Sequence, residues 1–174
     1  VSDPVQKARL LREVARLSWN DSLFREAAQA LQATEGAEKA YALADLVAAW
    51  GDATLVGQIS SDYPAAQALA YFHLADYESA WQAAARMADP FEQARAQATI
   101  AAAWGDIGIA DQIAYSGLRD RALRDISLKT GNMALVEEMG NCYDQVQALT
   151  AAGLFQEAWQ RAEGLQEGYP LVVL

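Results

Sequence analysis

Few side chains in this chain are suited to chemistry. His73 is the only histidine and Cys142 the only cysteine. A catalytic imidazole or thiolate needs a base, an acid or a metal-ligating partner at a defined spacing. Asp76 lies one helical turn after His73, but no HxxxH or HxxE surrounds it, and no pattern supplies a base to Cys142. His73 therefore reads as a packed or cap-bonded histidine, and Cys142 as small buried filler. Glu137-Glu138 and the scattered carboxylates form neither a calcium loop nor a paired-carboxylate motif. The glycines follow no phosphate-cradling or nucleophile-elbow pattern. The expectation is a non-catalytic chain without cofactor or metal.

A column of long side chains is the stronger candidate. Arg9, Tyr41, Gln67, Arg95, Arg121 and Gln147 recur at steps of 32, 26, 28, 26 and 26 residues. One helical turn on, Asp45, Tyr71, Thr99 and Asp125 fall beneath them, with Glu13 and Ala151 completing the set. These residues form a predicted ladder for binding a partner. Arginine suits a carboxylate and tyrosine gives flat contact area. Against this, Arg9–Glu13 and Arg121–Asp125 are i,i+4 pairs that any solvated helix face can carry.

Repeated helices must position the ladder. The segment 38–59, EKAYALADLVAAWGDATLVGQI, returns at 92–113 as EQARAQATIAAAWGDIGIADQI. The residue after each column position is Leu10, Ala42, Ala68, Ala96, Ala122 and Ala148. Five beyond it stand Val14, Leu46, Phe72, Ile100, Ile126 and Ala152. Small and large apolar residues at these offsets predict helices buried on two sides. Asp-Pro at 3–4 and 89–90 predicts helix starts, and Trp-Gly-Asp at 50–52 and 104–106 predicts a stop followed by a new cap. Short second helices follow each turn and need packing to hold them. All five tryptophans lie near corresponding positions, which favours core packing for them.

The reading is all-α: about six antiparallel helical hairpins of ~26-residue repeats, stacked as an α-solenoid. The hairpins are placed at 5–35, 37–61, 63–88, 90–116, 118–140 and 143–166, in one domain over 1–174. Tyr169-Pro170 resembles the start of another unit, and neither end has a polar capping repeat. The chain is thus expected to be a segment of a longer protein or to use its uncapped ends for self-association.

The stretch 75–90, ADYESAWQAAARMADP, resembles the second helix and exit turn of a tetratricopeptide repeat in Asp76, Tyr77, Ala80, Asp89 and Pro90. The segment 153–158 is similar more loosely. The resemblance implies a right-handed superhelix that binds proteins or peptides, with the first helices lining the groove. The family's unit is longer, and its tryptophan falls early in the first helix, whereas Trp50 and Trp104 close theirs.

Charge narrows the partner class. A net charge of −10 disfavours nucleic-acid phosphates and anionic lipid as partners. No apolar run approaches a membrane span. The expected function is a protein-interaction or scaffolding module. The alternatives are a regulatory or accessory domain of a larger enzyme or signalling protein, and an acidic nucleic-acid mimic.

Overall fold

The computed structural model describes residues 3–163, so Tyr169-Pro170 and the end of the 143–166 hairpin lie outside the described residues. All regular structure in the described residues is helical. The chain divides into two compact units, Val1–Ala88 and Asp89–Leu174.

The first unit contains α1 (Pro4–Ser18), α2 (Asp21–Ala30), α3 (Ala37–Trp50), α4 (Pro64–His73) and α5 (Tyr77–Ala84). Leu31–Ala33 and Ala53–Gln58 are 3-10 turns. Helix α1 packs on α2 and α3, α3 on α4, and α4 on α5. The second unit contains α6 (Pro90–Trp104), α7 (Ile107–Ala110), α8 (Ser116–Thr130), α9 (Cys142–Ala151) and α10 (Phe155–Glu163), with a 3-10 turn at Met133–Glu138. Here α6 packs on α7 and α8, α8 on α9, and α9 on α10.

Local chemistry accounts for the helix ends. The Asp3 carboxylate accepts from the N–H groups of Val5 and Gln6, and the Asp89 carboxylate from those of Phe91 and Glu92. Pro4 and Pro90 fill first-turn positions that need no donor. Gly51 and Gly105 close α3 and α6 at φ 79° and 82°, a left-handed conformation that side chains resist. Asp52, Asp76 and Asp106 then cap the following elements. The segment at 75–90 includes two of these caps, Asp76 and Asp89, and the fully buried Ala80.

Two second elements differ from the expected α-helices. The segments at Ala53–Gln58 and Met133–Glu138 wind as 3-10 turns, and α7 is a single turn. Gly57, Gly108 and Gly140 lie in or beside these segments and weaken α-helix there. Packing supplies the order instead: Leu55, Val56, Leu135 and Val136 are buried.

Much of the core is alanine. Ala15, Ala27, Ala44, Ala66, Ala70, Ala80, Ala83 and Ala84 are fully enclosed in the first unit, as are Ala101, Ala110 and Ala148 in the second. Small side chains let helix backbones approach closely, and Leu31, Leu43, Leu46, Leu123 and Ile126 fill the space between them. None of the five tryptophans is fully buried in this core, although Trp50 packs against it. Trp19 and Trp159 are 93% and 63% exposed, and Trp104 more than a third exposed. Trp50 and Trp81 are only half-buried, and Trp50 stacks on Phe24 with ring centroids 5.6 Å apart. Trp19, Trp50 and Trp104 stand where their first helices end, beyond the most enclosed turns, so recurrence in sequence did not mean burial.

Candidate functional site

The ten column residues separate into side chains bound by their own fold and side chains left for solvent. In the first unit Arg9 and Tyr41 are exposed on α1 and α3, and neither takes part in an ion pair among the described residues. Tyr71 is half-buried against the core cluster. Asp45 is engaged: Arg12 Nη1 reaches its carboxylate at 2.7 Å. The same guanidinium donates to Glu13 at 2.7 Å, and Arg16 donates to the other Glu13 oxygen at 3.3 Å. Partial burial opposes the charge of Arg12, but hydrogen bonding and attraction from Glu13 and Asp45 outweigh it and raise its pKa. The hydrogen bond from Arg12 in turn holds the Glu13 carboxyl below the usual range. The expected Arg9–Glu13 pair is replaced by this cluster, because Arg12 faces both the neighbouring helix and Glu13.

Gln67 is also engaged. Its amide donates to the Ile59 carbonyl at 2.8 Å and its oxygen accepts from Arg86 at 2.6 Å. In the second unit Gln145 repeats this arrangement, donating to the Met139 carbonyl and accepting from Arg161 at 3.2 Å. Each glutamine precedes its left-handed helix-closing residue, Ala75 or Gly153, by eight positions. The counterpart of Gln67 is therefore Gln145, and the column slipped by two residues at Gln147. Helices α4 and α9 both have 10 residues, and the two glutamines stand alike from their starts, three positions after Pro64 and Cys142.

On α6, Arg95 is 62% exposed and pairs with Glu92, while the Thr99 hydroxyl donates to the Arg95 carbonyl. Arg121 on α8 is exposed. Asp125 and Gln147 meet at Arg124, which sequence reasoning missed. Its guanidinium donates to Asp125 at 2.9 Å, to Gln147 at 2.6 Å and to Asp144 at 2.9 Å. Asn141 gives Asp144 a second hydrogen bond at 2.8 Å. The expected Arg121–Asp125 pair thus yields to Arg124, which lies between α8 and α9. Asp120, 2% exposed, accepts from the Asn141 N–H at 2.7 Å and faces Arg119.

Burial raises the Asp144 pKa, with Arg124 pulling the other way. A carboxyl whose folded pKa is raised favours the fold most below its unfolded pKa, and that advantage is lost as pH climbs through the folded value. Wild-type stability relative to Asp144→Asn is therefore expected to rise as pH falls from neutral through the raised value, and to level off below the ordinary aspartate range. Urea unfolding of both proteins across that pH range reads it. A flat difference would show that Asp144 titrates as an ordinary aspartate.

Other candidates have ordinary places. His73 ends α4 exposed, against the edge of Phe72, rather than packed. The position is the last turn of a helix whose core side is alanine. Cys142 is half-buried and its thiol donates to the Arg161 carbonyl at 3.3 Å. An open cleft of about 300 Å³ is lined by Glu35, Lys39, Gln58, Ser60, Asp62 and Tyr63, and holds none of the column residues. Among the described residues no group of His, Cys, Asp and Glu is placed to hold a metal, and no helix is long and apolar enough to cross a membrane.

Comparison with family models, with curated proteins and with solved structures gives no match.

Proposed function

We propose that this chain is a non-catalytic scaffold, a tetratricopeptide-like right-handed α-solenoid that binds a protein or peptide partner along its first helices. The observation that carries the reading is the sorting of the column. Asp45, Gln67, Asp125 and Gln147 are bound by Arg12, Arg86 and Arg124, while Arg9 and Tyr41 in one unit, and Arg121 and Arg95 (paired with Glu92 on its own helix) in the other, are exposed on packed helices. Packed helices have little backbone freedom left to lose when a partner docks, so the entropy cost falls on the side chains alone, about 0.5–1.5 kcal/mol for each one fixed. In each unit the first helices adjoin one another, which supports a shared binding surface built from them.

Arg95 and Arg121 offer guanidinium forks to an acidic group on the partner. Arg95→Ala with Arg121→Ala is expected to reduce partner capture about tenfold or more, corresponding to at least ~1.4 kcal/mol, with helicity unchanged. Affinity capture from the source cell with wild type and double variant, alongside circular dichroism, makes the comparison. Equal capture of the same proteins would remove these arginines from the binding surface. Loss of helicity would assign them to the fold.

A further inference from the structure

The cleft in the first unit lies apart from the column, and the side chains that line it are largely polar: Glu35, Lys39, Gln58, Ser60, Asp62 and Tyr63. Its charges are not matched within the fold. Of the half-buried cations, Arg12, Arg119, Arg124 and Arg161 each hold a carboxylate, whereas Lys39 has neither an ion pair nor a hydrogen bond among the described residues. A partly desolvated charge without a counter-charge is costly. Glu35 stands four residues before Lys39, a spacing that pairs within a helix. Gly36, at φ 88°, turns the chain just ahead of α3, and the two charges do not meet. The Ser60 hydroxyl donates to Asp62 at 3.1 Å, and Asp62 has no cation beside it. Tyr63 is half-buried with its hydroxyl free, 3.9 Å from where a Cβ on Gly36 would stand.

The fold itself does not require this polar set. The second copy of the repeat keeps the packing positions: Ala40 and Ile59 correspond to Ala94 and Ile113, and all four are buried. The lining changes instead. Lys39, Ser60, Asp62 and Tyr63 give way to Gln93, Ala114, Ser116 and Gly117, and Glu35-Gly36 to Asp89-Pro90, whose carboxylate caps α6. We infer that the cleft is a binding site for a free α-amino acid. Lys39 and the Tyr63 hydroxyl receive its carboxylate, and Glu35 and Asp62 its ammonium group. One zwitterion satisfies both signs at once through charge-assisted hydrogen bonds. Two carboxylates against one ammonium disfavour a plain anion such as phosphate. A volume of about 300 Å³ is at the small end of ligand pockets, which suits a molecule of this size.

Backbone-amide NMR of the full chain tests this, with each common α-amino acid titrated in turn and with acetate, inorganic phosphate and ethylamine as singly functional comparators. At least one amino acid is expected to give saturable shifts centred on residues 35–40 and 58–63, with a dissociation constant of about 1 mM or below. The three comparators should bind at least about tenfold more weakly. Lys39→Gln installs the residue type that the second copy carries, and Glu35→Gln/Asp62→Asn removes the opposite charges. Each should weaken the amino acid at least about tenfold while circular dichroism stays unchanged. An absence of such shifts with every amino acid up to about 1 mM overturns the inference. So does phosphate or acetate binding as tightly as the amino acid, or undiminished affinity in Glu35→Gln/Asp62→Asn, either of which would leave an anion site alone.

Discussion

Replacing Arg124 with methionine is expected to lower the unfolding free energy of the second unit by about 2–4 kcal/mol at neutral pH. Arg124 is mostly enclosed, with 17% of its side chain exposed, and Asp144 opposite it has 8%. Methionine keeps much of the aliphatic bulk and removes every donor. Asp144 then retains one strong hydrogen bond, from Asn141, and its charge loses the ion pair with Arg124. Leaving a buried charge uncompensated costs more than the pair contributes. The companion change, Arg124→Met with Asp144→Leu, should therefore recover most of the loss, since both charges are removed together. Asn141 and Asp125 are exposed enough to bind water instead. Urea unfolding followed by circular dichroism measures all three proteins. A single variant within about 0.5 kcal/mol of wild type would place this ion pair with surface pairs in its effect.

Leu43→Ala is expected to cost the first unit about 2–5 kcal/mol. Leu43 has no exposed surface and lies in the cluster with Leu46, Val47, Leu55, Val56 and Ile59. Its alanine neighbours Ala40, Ala42 and Ala44 offer no long side chain that could turn into the space left behind. The cavity should therefore persist, which places the cost in the upper half of that range. Leu10→Ala is the matching control: the same chemical change at a 54% exposed position should stay within about 0.5 kcal/mol. Chemical unfolding of the two variants compares them directly. Equal effects would mean that Leu10 is covered in solution.

The sequence displayed what is decided within a few residues. Asp3-Pro4, Asp89-Pro90, Gly51 and Gly105 act on the nearest backbone groups, so their types alone mark where helices begin and end. The hydrophobic columns were legible for a similar reason, since a helix repeats its face every few residues. What was hidden depends on the offset between neighbouring helices. Arg12 and Arg124 look like ordinary surface arginines in sequence, and only the placement of α3 and α9 beside them reveals Asp45, Asp144 and Gln147 as their partners. Gln145 was concealed in the same way, since its partner Arg161 is brought to it by α10. Tryptophan misled because its recurrence at helix ends reflects where the chain turns, not where it is enclosed.

The order of packing also bears on how the chain reaches this structure. Inside each unit a helix rests on its immediate successor or on the element after that. Few long loops need closing before favourable contacts form, so little chain entropy stands in the way of the transition state. The single turn of α7 and the 3-10 turns at Ala53–Gln58 and Met133–Glu138 cannot persist alone in water. They would become ordered only after α3, α6 and α8 supply a surface, which makes the long first helices the natural seeds of folding.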